Sequence, residues 1–189
     1  MLLKETAIKH VLPDHGCVGN SAGSDRFVFI DTPIGTMAAV ASQSALFALF
    51  FVDEDRIDEW TEQFSSTAVL GANHVLDLIQ KELELYFGGT LQVFTVPIDC
   101  VASTQFFADV LRCVQEIPYG VIKSYKQVAQ EAGNAKAYRA VGAASKSNNL
   151  LIVIPCHRVV GADGSLGGYS QGINRKSWLL GHEQSFSNQ

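Results

Sequence analysis

The sequence is poor in charge and in cysteine, and it has no long apolar run. Charged residues make up 17% of the 189 against 47% hydrophobic, which excludes the highly charged, weakly apolar composition of a disordered chain and leaves enough apolar side chains for a sizeable core. No apolar stretch reaches the roughly 18–20 residues that cross a bilayer. Residues 1–18 mix Lys4, Glu5, Lys9, His10 and Asp14 among apolar residues, which is not a signal-peptide pattern, so a cytoplasmic location is expected. The four cysteines, Cys17, Cys100, Cys113 and Cys156, form no CxxC pair. Neither a structural zinc nor a disulfide framework is indicated, and free thiols are expected. His10, His15 and Cys17 lie near one another, but no fourth ligand is evident. The expectation is no metal and no cofactor.

Basic residues are scarce at the front of the chain. Residues 1–111 hold 5 Lys+Arg and 15 Asp+Glu; residues 112–189 hold 9 and 4, so the net charge of −5 divides into −10 and +5. A basic back half suits a polyanionic partner.

Along the chain, Arg26–Asp31 and Thr36–Val40 flank a turn at Thr32-Pro33-Ile34-Gly35, and Ala45–Val52 supplies a third apolar run, a pattern that predicts an antiparallel meander. The acidic stretch Asp53–Glu62 opens a short helix, and helical spacing of Val75, Leu76, Ile79, Leu83 and Tyr86 predicts another, ended by Gly88-Gly89. Residues 90–102 read as a linker. Beyond it Phe107, Val110, Leu111, Val114 and Ile117 form an apolar stripe. Ser124 and Gln127 make a capping-box pattern, and Gly133-Asn134 separates that short helix from a second over about 136–146. Two short helices across a tight turn predict a helix-turn-helix. Leu150–Ile154 reads as a short buried strand leading to Pro155-Cys156-His157-Arg158, and a last helix is placed around 176–182.

Cys156 is the candidate nucleophile, since a thiolate is suited to attack on saturated carbon and depends on a lowered pKa. His157 is its neighbour. Adjacent side chains diverge in an extended segment, so the pair needs an intervening water or a local turn. Taken alone, a buried cysteine beside a surface histidine would account for the pair better.

The run Ile154-Pro155-Cys156-His157-Arg158-Val159-Val160 resembles the active-site signature of the O6-alkylguanine-DNA alkyltransferases. The resemblance extends through Ile117-Pro118-Tyr119-Gly120, Ser124-Tyr125, Ala132-Gly133-Asn134, Arg139-Ala140-Val141-Gly142, Asn148, Gly168-Tyr169-Ser170 and Lys176–Glu183. It covers nearly all of residues 104–183 and is highly specific. Asp31–Gly35 and Tyr86–Gly89 resemble the N-terminal half only in outline. The family implies an α+β fold in two domains, 1–98 and 99–189. The first is a small antiparallel sheet with helices, ribonuclease-H-like, behind a leader of 25 residues; the second is mostly helical with the helix-turn-helix.

The resemblance further implies irreversible transfer of a methyl or other small alkyl group from O6-alkylguanine in duplex DNA, and from O4-alkylthymine, to Cys156. One turnover per molecule and a monomeric protein acting from the minor groove are expected. His157 would be the base, acting through a water, with Glu183 fixing its tautomer. Tyr125 would hydrogen-bond the flipped base at N3, and Arg139 would fill the gap in the duplex. Asn148 would brace the turn before Cys156, the backbone of Val159 and Ser170 would grip the guanine edge, Tyr169 would wall the pocket, and Lys176 would lie in its surroundings. The second helix of the pair is rich in small residues, Ala140, Gly142 and Ser145 among them, with Lys136 and Lys146 bracketing it. Small side chains let a helix approach a groove wall, whereas major-groove reading needs long polar ones.

Ser103–Phe107 and Leu111 depart from the family pattern where many members carry Gly-Thr, Phe-Gln and Trp. Gln171 stands where some relatives have Gly and is expected to narrow the pocket against benzyl-sized groups. A non-catalytic lesion-binding relative would replace Cys156, commonly with Trp, and a transcription factor would need base-reading side chains. A cysteine hydrolase would need separately positioned partners.

Overall fold

In a computed structural model the described residues are 25–65, 68–100 and 102–187; the His10, His15 and Cys17 group lies outside them. The chain divides into two compact units, one of residues up to 87 together with 95–101, the other of 88–94 and 102–189. Among the described residues no helix is long and apolar enough to cross a membrane.

The first unit is built on β1 (Arg26–Ile30), β2 (Met37–Ala41) and β3 (Leu46–Phe51). β1 and β2 pair antiparallel with Ile30 opposite Met37, and β2 pairs antiparallel with β3. The turn between the first two closes where Gly35 N–H donates to the Thr32 carbonyl at 3.1 Å, with Gly35 at φ 118°, a conformation that favours glycine. Every residue of β2 is buried, as a central strand covered on both faces requires. A 3₁₀ turn, Glu54–Arg56, leads into α1 (Ile57–Phe64). Its Trp60 and Phe64 pack on Phe50, and Phe64 also on Phe27. The predicted meander is extended by β4 (Val69–Leu70), which adds a parallel edge to β1 and makes the sheet mixed, in the order β3-β2-β1-β4. Then α2 (His74–Phe87) buries Val75, Leu76, Ile79, Leu83 and Tyr86, the expected stripe. Asn73 caps it through Oδ1, which accepts from Val75 N and Leu76 N.

The second unit opens its helical part with α3 (Gln105–Gln115), capped by Thr104 and buried along Val110, Leu111, Cys113 and Val114. The two-residue β5 (Lys123–Ser124) precedes α4 (Tyr125–Glu131), and both halves of the capping box are made between Ser124 and Gln127. After the Gly133 turn comes α5 (Tyr138–Lys146), two residues shorter at its start than the spacing predicts. α4 and α5 both pack on α3. A 3₁₀ turn, Cys156–Arg158, runs into β6 (Val159–Val160), which pairs parallel with β5. α6 (Ile173–Phe186) is a full turn longer at its end than predicted.

Candidate active site

The segment before Cys156 is not the predicted strand. Leu150 to Ile154 are all buried, but the chain turns back on itself, with Ile154 N donating to the Leu150 carbonyl at 2.8 Å. Ile152 sits at φ 72°, the left-handed region that a β-branched residue avoids. The apolar run signalled burial, and Asn148 dictates the shape. Its Oδ1 accepts from Leu150 N at 3.0 Å, which fixes the amide orientation. The Nδ2 group is thereby aimed at the Ile154 carbonyl (2.8 Å) and at Cys156 Sγ (3.2 Å). Asn148 thus ties residues 150 and 154 together and also reaches the sulfur, which the sequence did not indicate.

Cys156 and His157 do lie in a local turn, the 3₁₀ turn Cys156–Arg158. His157 is wholly buried and its Nε2 lies 2.8 Å from Glu183 Oε1. Arg158, also buried, forks onto the same carboxylate, Nε to Oε2 and Nη2 to Oε1, both at 2.9 Å. Its Nη1 donates to the Ile117 carbonyl and Gly120 N donates to Glu183 Oε2. Burial alone would raise the Glu183 pKa, but the hydrogen bonds and charges of His157 and Arg158 carry it far below the usual carboxylate range. Glu183 is therefore an acceptor only, so Nε2 carries the imidazole proton and Nδ1 carries the lone pair. Nδ1 has no partner among the described residues. Burial lowers the His157 pKa, against the pull of Glu183, and the ring rests neutral.

The sulfur differs from the sequence expectation. Burial pushes the Cys156 pKa up, opposed by the Asn148 hydrogen bond and the Lys176 charge. The resting group is a thiol, not a standing thiolate. Lys176 is fully buried; its Nζ donates to the Val159 carbonyl at 2.6 Å and lies 5.8 Å from the centre of the Tyr125 ring.

Cys156 is only 4% exposed, yet it borders a cavity of about 460 Å³. α4 and α5 supply Tyr125, Gly142, Ser145 and Lys146 to the wall, and the loop before α6 supplies Gly168, Tyr169 and Ser170. Gln171 is not among the residues that line the cavity. The hydroxyls of Ser145 and Tyr169 are buried and have no partner among the described residues. Burial raises the pKa values of Tyr125 and, further, of Tyr169, so both keep their phenolic protons. Arg139 and Ala140 lie outside this lining; the Arg139 guanidinium stands 5.8 Å from the centre of the Tyr138 ring. Arg158, at Glu183, and Gly168, in the cavity wall, are site residues whose roles the sequence left unassigned.

Tyr125 is held between glycines. A Cβ on Gly167 would stand 3.1 Å from its hydroxyl oxygen, and one on Gly142 3.9 Å from its ring. Gly167 also adopts φ +64°; Gly164, at φ +81°, has open space around it. Gly167→Ala and Gly164→Ala share the backbone cost of about 1–2 kcal/mol, and only the first disturbs Tyr125. A lower urea midpoint for Gly167→Ala than for Gly164→Ala is expected; equal midpoints would contradict the packing.

Chemically, the arrangement offers a protonated sulfur, a neutral buried imidazole, a walled space large enough for a nucleobase, and an adjoining helix bearing Arg139 and Lys146. Residues 105–185 match the family described as the 6-O-methylguanine DNA methyltransferase DNA binding domain. The chain is 36% identical to the methylated-DNA–protein-cysteine methyltransferase of Methanosarcina barkeri over 82% of its own length and 95% of that protein's. It is 38% identical to the Mycolicibacterium paratuberculosis protein of the same name, over 84% and 92%. The crystal structure of Mycobacterium tuberculosis OGT in complex with DNA superposes with a TM-score of 0.73 at 34% identity, covering 86% of this chain and 93% of that one.

Proposed function

The chain belongs to the methylated-DNA–protein-cysteine methyltransferases, and from that premise we propose that Cys156 is the sulfur that takes the alkyl group. The protein is a DNA-repair alkyltransferase with DNA as its partner. The observation that carries the assignment is the buried Cys156 thiol bordering a base-sized cavity walled by Tyr125, Tyr169 and Ser170.

In the proposed reaction the thiol proton passes through a water to His157 Nδ1 as sulfur attacks the alkyl carbon. The S–C bond forms, the C–O6 bond breaks, and the electron pair returns to the purine, which takes up one proton. Glu183 stabilises the imidazolium formed on the way. Tyr125, which keeps its proton, donates to N3 as negative charge spreads over the ring. The Val159 carbonyl, which accepts from Lys176, has a second lone pair with which to accept from the purine's exocyclic amine. The Ser170 backbone completes the grip and Tyr169 walls the alkyl side.

The lesion is O6-alkylguanine, with O4-alkylthymine as a second substrate, approached from the minor groove by a monomer in the cytoplasm. Residues 99–189 carry both chemistry and DNA contact. Ala140, Gly142 and Ser145 let α5 approach the groove closely, and Lys146 pairs with phosphate. Arg139 fills the space left by the extruded base. Extrusion costs a few kcal/mol, so Arg139→Ala is expected to slow transfer from duplex DNA by on the order of 10- to 100-fold, read by single-turnover kinetics. An unchanged duplex rate would remove Arg139 from that role.

The thioether formed at sulfur leaves no route back. With duplex O6-methylguanine in excess, repaired guanine is expected to plateau at one per protein molecule. Repair that continues past the plateau would contradict the proposal.

A further inference from the structure

Tyr138 opens α5 one residue ahead of Arg139 and is 49% exposed. Among the described residues of α5 it is the only large apolar side chain that solvent reaches to this degree. The rest of the helix surface is kept to Ala140, Gly142, Ala143 and Ser145 beside the charges of Arg139 and Lys146. A half-exposed aromatic ring on a helix otherwise trimmed to small residues adds exposed apolar area. The Arg139 guanidinium carbon stands 5.8 Å from the centre of this ring, within cation–π range.

Resting on the duplex-DNA reading above, we propose that Tyr138 is a positioning residue for DNA. One face of its ring holds the Arg139 guanidinium, and the rest stacks on the nucleotide flanking the extruded base. A free arginine side chain loses much rotamer freedom when it enters a duplex, and prior packing on Tyr138 removes part of that loss. Stacking on an aromatic tolerates any sequence, because every base has a π face, and that tolerance fits a protein directed to a lesion and not to a sequence. Aromatic and apolar wedges beside a basic finger are also how minor-groove proteins hold a distorted step open.

The test uses the full chain with Tyr138→Ala, Tyr138→Leu and Tyr138→Phe. Two rates are compared, on duplex DNA with O6-methylguanine next to 2-aminopurine and on the free base O6-benzylguanine. Tyr138→Ala and Tyr138→Leu are expected to lower the duplex-to-free-base rate ratio by about 10-fold and to weaken duplex binding similarly. Tyr138→Phe is expected to keep both, and only the ring-bearing forms should quench 2-aminopurine. The proposal is overturned if the ratio is unchanged in Tyr138→Ala, if Leu serves as well as Tyr, or if Phe is as poor as Ala. It is also overturned if both rates fall together, which would mark a structural role. Failure of the unmodified protein to accept a methyl at all would fall on the functional reading; duplex binding and 2-aminopurine quenching would then still decide on Tyr138.

Discussion

Glu183→Ala is expected to lower folding stability by about 3–5 kcal/mol, because it leaves the buried Arg158 guanidinium without its counter-charge. The carboxylate answers four groups at once: His157 Nε2, two nitrogens of Arg158 and Gly120 N–H. Glu183→Gln keeps the shape but loses the charge, and its amide can accept through one oxygen only. It should fold, with a lower urea midpoint, and transfer more slowly because the imidazole tautomer is no longer enforced. The pH dependence has a definite sign. The folded-state pKa of Glu183 lies far below the ordinary carboxylate value, so its contribution is present above that ordinary value and is lost as pH falls toward the folded-state one. The unfolding free energy of the unmodified protein should therefore drop between about pH 5 and pH 3, and Glu183→Gln should show a flatter course there. Identical acid profiles for the two proteins would contradict the network.

His157→Ala carries the second large effect, on chemistry. General-base assistance is worth about 10²- to 10⁴-fold, and that range is the expected loss in single-turnover rate near neutral pH. What remains should climb with pH, since the sulfur must then ionise unaided and burial holds its pKa above the ordinary 9.0. The unmodified protein should behave differently. Burial lowers the His157 pKa below the ordinary 6.5, so the ring is neutral and competent across the physiological range. Its rate should be level from above 6.5 upward and fall only in more acid solution, where the imidazole protonates and can no longer accept. A variant with a pH-independent residual rate would remove His157 as the base, and an unmodified protein that loses half its rate near 6.5 would contradict the lowering of its pKa by burial.

The parts of the fold legible in sequence were those with local causes. The capping box of Ser124 and Gln127 depends on residues three apart, and the stripes of α2 and α3 follow helical periodicity; all three stand where they were expected. Leu150–Ile154 was misread because β-branched apolar residues report burial more firmly than extension. The information that turns the segment lies in Asn148, whose side chain replaces the missing strand ladder. The partner of Arg158 was equally long-range, 25 residues away at Glu183. A signal for it existed: an arginine inside the wholly buried run 150–160 needs a carboxylate, and residues 112–189 hold four acids in all. Glu82 escaped notice for the same reason. It faces inward on α2 and accepts from Thr95 N, Thr95 Oγ1 and Val96 N, contacts that no helical pattern announces. The thiol pKa was expected low and is raised, since proximity to His157 could be read from the sequence while enclosure of the sulfur could not.

The central claim is that one buried thiol, deprotonated only as it reacts, becomes a thioether. Intact protein incubated with duplex DNA carrying O6-methylguanine should gain the mass of a single methylene increment, and digestion should place it on the peptide containing Cys156, with no gain in Cys156→Ser. A methyl found on Cys100 or Cys113 (the other free thiols among the described residues), or a Cys156→Ser protein that still accepts one, would contradict it.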